Sequence, residues 1–205
     1  DRFVAELIPP AHKRRYLMSA LMEEAIRSSQ IEGAATTRRV AKEMLRKNIT
    51  PRDRSQRMIL NNYRTMALLQ EQRNAEMTEE LLLQIHRSMV RGTLVHSADE
   101  GRFRTAEDEV YVEHQLTHEV VHTPPPATEL ADFMQLFLSL CNDREQPTFI
   151  HPILRGIIIH FLIGYMHPFV DGNGRTARAL FYWYMLRSGY SLLEYLSISQ
   201  IIYKG

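Results

Sequence analysis

The sequence has a single cysteine, Cys141, among 205 residues. One thiol excludes an internal disulfide and any zinc site built on cysteine pairs, and it fits a reducing, cytoplasmic setting. An excess of one charge sign is also missing. The formal net charge of +1 gives no electrostatic case for nucleic acid or an anionic membrane as the main partner. A nucleic-acid role would need a part beyond Gly205. No apolar run reaches the roughly eighteen residues that a membrane helix requires. Residues 153–166 come nearest, and Arg155 and His160 interrupt them. Internal repeats and low-complexity tracts are absent. So are two familiar phosphate signatures. A Walker loop needs Lys-Ser/Thr after its last glycine, where Gly174 is followed by Arg175, and the dinucleotide fingerprint needs three spaced glycines after a strand. What remains is 44% hydrophobic and 24% charged residues, enough to bury a core as one domain or one domain with an appendage. The chain starts at Asp1 and stops just after an apolar run, so it reads as a fragment.

The hydrophobic period is helical over most of the length. Helices are expected over about 11–30 with Gly33 as stop, from the Thr36-Thr37 cap to Lys47, and over about Asp53–Asn74. Another runs from the Thr78 cap to Gly92, with Leu82, Ile85, Met89 and Val90 stacked. Further helices are expected at 127–142, at Thr148–Met166 with Pro152 in its first turn, and at Thr176–Ser188, while a last one begins near Leu192. The segment 148–166 is apolar all round, which predicts the central buried helix. Residues 92–126 differ. Glu109–Glu113 and Glu119–Thr123 alternate like two short strands before three prolines, which predicts a β-hairpin flap. The expected class is all-α with one small hairpin.

The chemistry concentrates in His167-Pro-Phe-Val-Asp-Gly-Asn-Gly-Arg-Thr-Ala-Arg178. Gly172-Asn173-Gly174 is turn chemistry, tolerant of positive φ. A helix starting after it would aim free N–H groups and its positive dipole end at the loop, which is an anion site. Arg175 and Arg178, three apart, would each add a charged fork, so the stretch suits a ligand with at least two phosphates. Asp171 would repel phosphate unless a cation lay between, and Mg²⁺ on one carboxylate plus phosphate oxygens answers this. His167, neutral in good part near pH 7, can accept a proton from a hydroxyl attacking phosphorus.

These residues resemble the signature of Fic-domain proteins, His-x-Phe-x-Asp/Glu-Gly-Asn-Gly-Arg-x-x-Arg. His167, Phe169, Asp171, Gly172, Asn173, Gly174, Arg175 and Arg178 match every fixed position. The resemblance implies a Fic-type helical domain that transfers AMP from ATP to a Ser, Thr or Tyr hydroxyl of a target protein and releases diphosphate. His167 would be the base and Asp171 the Mg²⁺ ligand. Asn173 and the glycines would hold phosphate, Arg175 and Arg178 the outer phosphates, and Phe169 would anchor the loop. Gly101-Arg102-Phe103-Arg104 followed by Val110-Tyr111-Val112 looks like the family's flap, which docks a target segment by strand addition. Ser28-Ser-Gln-Ile-Glu32-Gly33 is similar to the family's inhibitory pattern, in which a carboxylate on Arg178 would take the place of the outermost phosphate. On this reading residues 1–60 carry the inhibitory motif and 61–205 form the catalytic core, cut short at its C-terminus. Relatives often release the inhibitory helix by self-association, so a homodimer is compatible. Other outcomes stay open on the same scaffold: removal of AMP with Glu32 positioning water, another phosphodiester donor, or a nucleotide-sensing module.

The remaining polar residues have plainer readings. His151 and His160 suit capping or core positions. His114, His118 and His122 recur every four residues, but on a hairpin that spacing makes no metal face. Arg38-Arg39 reads as a solvated helix start.

Overall fold

A computed structural model describes residues 9–114, 117–143 and 149–204. Residues 1–8 lie outside them, and so does the helix start expected at Thr148. Among the described residues eight α-helices follow in order: α1 (Pro10–Ile31), α2 (Arg38–Lys47), α3 (Arg54–Glu71), α4 (Glu79–Val90), α5 (Leu130–Cys141), α6 (Pro152–Met166), α7 (Asn173–Arg187) and α8 (Ile198–Lys204). Between α4 and α5 lies an antiparallel pair, β1 (Val112–Glu113) and β2 (Val120–His122), in register Val112 with His122 and Glu113 with Val120. The class is all-α with a small hairpin, as expected. Among the described residues no helix is long and apolar enough to cross a membrane.

Local chemistry explains the helix starts. Asp53 accepts from Gln56 N at 2.8 Å and Thr78 from Leu81 N at 3.1 Å, each pairing one of the free N–H groups of a first turn. His151 caps α6 through its ring, accepting from Ile153 N, and Pro152 takes the first helical position, where no N–H is missed.

The central helix is α7, not α6. Ala177, Leu180, Trp183 and Tyr184 are all at most 2% exposed, whereas Leu154, Ile157 and Phe161 on α6 are 56%, 50% and 59% exposed. Only the side of α6 carrying Gly156, Ile159, Ile163 and Met166 is buried. Gly156 permits close approach there, since a Cβ would meet Met185 Sδ at 3.0 Å. Helix α7 also begins at Asn173 rather than Thr176, with Gly172 as its N-cap at φ +85°. The strands are shorter than their alternation suggested, so Val110 and Tyr111 precede the ladder instead of pairing in it.

Helix α1 is fastened on two sides by adjacent glutamates. Glu23, 5% exposed, faces α2, where Arg38 Nε lies at 2.8 Å and Lys42 Nζ at 2.8 Å, with Arg27 Nε at 3.2 Å on its own helix. Burial opposes its charge, yet the bonds from Arg38 and Lys42 prevail and lower its pKa to about 2. Arg38 is thus a partner of a buried carboxylate rather than an idle surface charge. Glu24 faces the start of α8, accepting from Ser199 N at 3.0 Å and from the Ser197 and Ser199 hydroxyls.

Candidate active site

The loop 167–172 runs from the C-terminus of α6 to the N-terminus of α7. His167 is the C-cap of α6 in the left-handed region, φ +46°, which turns the chain sharply and leaves the ring half-buried beside the loop. Its Nδ1 lies 3.0 Å from Gly164 O. A carbonyl only accepts, so Nδ1 carries the proton and Nε2 keeps its lone pair. Burial lowers the pKa of the ring against the raising effect of that carbonyl, with smaller lowering effects from His122 and Arg104. The ring is therefore neutral at neutral pH, in the tautomer that leaves Nε2 unprotonated.

The loop is clamped from beneath. Asn173 Oδ1 accepts from Phe169 N at 3.0 Å and its Nδ2 donates to Phe169 O at 2.8 Å, closing the turn as a strand partner would. Its side chain is thus committed to the loop, and only its backbone N–H is left to meet phosphate. Phe169 is fully buried and stacks on His86 at 3.7 Å, with Phe103 at 5.6 Å, in the anchoring role expected of it. His86 accepts from Gly101 N at 3.1 Å through Nδ1 and donates through Nε2 to Asp171 O at 2.9 Å. Burial pushes its pKa down to about 4, so a neutral imidazole bridges the two loops. Arg104 joins the flap base to the same loop. Its backbone N–H donates to Pro168 O, and its guanidinium to His167 O at 2.8 Å, Met166 O at 3.1 Å and Pro125 O at 2.6 Å. The flap is also held by His122, whose Nε2 donates to Tyr165 O at 2.8 Å.

The charges divide into cations below and carboxylates above. Arg175 is 1% exposed and reaches inward to Met89 O at 3.4 Å, with Asp171 Oδ1 at 3.7 Å and its Nε without a partner among the described residues. The expected role on an outer phosphate does not fit this placement. A guanidinium so poorly neutralised instead adds positive potential behind the loop. Arg178 is the fork that faces the inhibitory motif. Its Nε donates to Ser28 Oγ at 2.9 Å and its terminal nitrogen to Ser28 O at 2.9 Å and Glu32 Oε1 at 2.8 Å. Glu32 also lies over the first turn of α7, since a Cβ on Gly174 would collide with Oε1. The carboxylate therefore occupies the two features that suit a phosphate, the helix N-terminus and the Arg178 guanidinium. Asp171 faces the opposite rim. Its side chain is 43% exposed, and Arg54 at the start of α3 donates to Oδ2 at 3.3 Å.

The structure thus brings together His167, Asp171, Gly172, Asn173, Gly174, Arg178, Ser28 and Glu32. Val110, Tyr111 and Val112 lead into the flap, with Tyr111 51% exposed. Among the described residues no three His, Cys, Asp or Glu side chains converge as a metal site. Asp171 is the carboxylate at the rim of the loop, which suits Mg²⁺ completed by phosphate oxygens and water better than a protein cage. Sequence reasoning passed over His86, Arg104 as a clamp, and Arg54. His86 left one signal, a polar residue on the apolar stripe of Leu82, Ile85 and Met89.

A helical domain that sets a histidine, a glycine-rich loop at a helix N-terminus and a short hairpin side by side is a recognisable class. The sequence matches the Fic/DOC family over residues 76–185, more than half of its 205 residues, and the chain belongs to that family. It is 35% identical over 115 residues to the protein adenylyltransferase Fic of Drosophila grimshawi, covering 56% of this chain and 21% of that protein. The corresponding figures for the protein of the same name from Nematostella vectensis are 31% over 119 residues, 58% and 25%. The chain thus spans a quarter or less of these relatives' length. Among solved structures, a Fic family protein from Desulfovibrio desulfuricans superposes with TM-score 0.74 at 23% identity over 98% of this chain and 57% of that one. Fic-1 from C. elegans does so with TM-score 0.72 at 23% identity, over 90% and 53%. The fold is shared with these structures.

Proposed function

We propose that the protein is an adenylyltransferase that moves AMP from ATP to a hydroxyl of a target protein and is held inactive by Glu32. The single observation that carries this reading is the pairing of a proton-accepting Nε2 on His167 with a cationic loop whose Arg178 is capped by the Glu32 carboxylate. ATP would lay its phosphates along the N–H groups of Asn173, Gly174 and Arg175 and place its outermost phosphate on Arg178 once Glu32 withdraws. Mg²⁺ held by Asp171 would neutralise charge that develops on the phosphates. A target strand added beside Val110–Val112 would bring its hydroxyl to His167. His167 Nε2 then takes the hydroxyl proton as the oxygen bonds to the α-phosphorus. The bond from that phosphorus to its bridging oxygen breaks, and diphosphate leaves with the electron pair. A positioned general base is worth roughly 10²–10⁴ in rate.

A reverse reading rests on the position of Glu32. Held over the first turn of α7, its carboxylate would orient a water for removing AMP from a modified protein. ATP labelled at the α-phosphorus separates the cases. Transfer of label to protein that is lost in His167→Ala supports adenylylation. Release of AMP from an already modified protein, lost in Glu32→Gly, supports removal. Nucleotide binding with neither reaction leaves a sensing module and contradicts both.

A further inference from the structure

Arg54 stands on the cation side of the loop as Glu32 stands on the anion side. It is the first residue of α3, directly after the Asp53 cap. Its Nε donates to Thr93 O at 2.7 Å, and a terminal nitrogen reaches Asp171 Oδ2 at 3.3 Å. The aiming carbonyl is itself fixed, because Thr93 is 4% exposed and returns both its N–H and its hydroxyl to Val90 O, at 2.9 and 2.7 Å. A guanidinium cannot shed its proton, so only a competing cation or a swing of the side chain frees the carboxylate. Of the two arginines near Asp171, Arg175 is locked inside at 1% side-chain exposure, while Arg54 is 60% exposed and has room to move.

We propose that Arg54 is the resting counter-ion of Asp171, so that a divalent cation must displace it before the loop can take a metal-bound nucleotide. The inference rests on the reading of Asp171 as the metal ligand. It makes the closed state symmetrical. A carboxylate at the C-cap of α1 holds the phosphate position, and a guanidinium from α3 holds the metal position. Both come from the first 60 residues of the chain.

An exposed ion pair is weak, so removing Arg54 should tighten metal binding by roughly two- to fivefold. The test is Mn²⁺ titration with a non-hydrolysable ATP analogue supplying the phosphate oxygens, read by the electron paramagnetic resonance signal of the protein-bound ion, on Glu32→Gly protein as the parent and on R54Q, R54K and D171N made in it, with a thermal melt of each as a folding check. The expected result is two- to fivefold tighter binding to R54Q, binding close to the parent for R54K, and loss of the site in D171N. Equal affinity of R54Q and parent, with the site still lost in D171N, overturns the role of Arg54 and leaves Asp171 as ligand. Equal tightening in R54Q and R54K also overturns it, because the effect would then follow side-chain shape and not charge. Parent-like binding by D171N overturns the metal assignment itself, and the inference with it.

Discussion

The surroundings of His167 suit it to the proposed role of base. Gly164 O fixes the Nδ1 proton, and burial keeps the ring neutral below the 6.5 of a free imidazole. The acid limb of the transfer rate, measured in a Glu32→Gly background, should therefore fall below pH 6.5, and a limb at or above that value contradicts the account. His86 makes a second pH prediction, this time for stability. Above pH 6.5 neither folded nor unfolded chain binds its proton. As pH falls through 6.5 the unfolded chain takes the proton first, so stability declines until the folded pKa of about 4 is reached. The full loss is about 3 kcal/mol. Denaturant melts between pH 7 and pH 4 should show a shallower decline in His86→Gln than in the parent; identical slopes would place the proton elsewhere. These two histidines also mark what the sequence could and could not disclose. His167 and Asp171 lie within one short stretch whose spacing is itself the chemistry. The partner of His86 in the loop is 85 positions away and that of Arg54 is 117 away, so only the fold reveals them.

Among the elements, the junction of loop and α7 is the most constrained. Gly172 sits at φ +85°, and a Cβ there would meet Val90 Cγ1 at 2.5 Å. Gly172→Ala combines left-handed strain with overlap against a buried neighbour, and should cost about 2 kcal/mol or more in a chemical melt and weaken nucleotide binding together with it. A variant as stable as the parent would show that the N-cap tolerates a side chain. The elements were legible where caps and apolar period agree, as at Asp53 and Thr78. They were less so at α6, whose apolar residues run all round. Periodicity identifies apolar faces but not which of them is covered, and here Leu154, Ile157 and Phe161 stay exposed while α7 takes the centre. The start of α7 was misplaced because Asn173 and Gly174 have weak helix propensity, and the reciprocal bonds between Asn173 and Phe169 override it. In the flap, alternation overstated the strands, since only two residues of the first are paired.

At the scale of the whole molecule, α1 is the part on which the others converge. Glu23 binds it to α2, Glu24 to α8, and Glu32 to the loop on α7. The first link is testable through its charge. Glu23 has a folded pKa lowered from 4.5 to about 2, so it stabilises the fold above pH 4.5 and loses that contribution as pH falls toward 2. Glu23→Gln should lower stability at pH 7 by about 2–3 kcal/mol, and the gap to the parent should close below pH 4.5. A gap independent of pH would assign the effect to packing. The last link is the one on which the proposed restraint turns. Arg178 and Glu32 form a charge-assisted contact that is mostly shielded from solvent, with side-chain exposures of 10% and 30%. Such a bond is worth roughly 1.5–3 kcal/mol, which corresponds to a restraint of about tenfold to a hundredfold on whatever must displace it. The most direct measurement is the initial rate of AMP incorporation from α-labelled ATP with Mg²⁺, compared between the parent and Glu32→Gly at equal protein concentration. The account predicts a rise of at least about tenfold in the variant, abolished when His167→Ala is added; equal rates in parent and variant would contradict it.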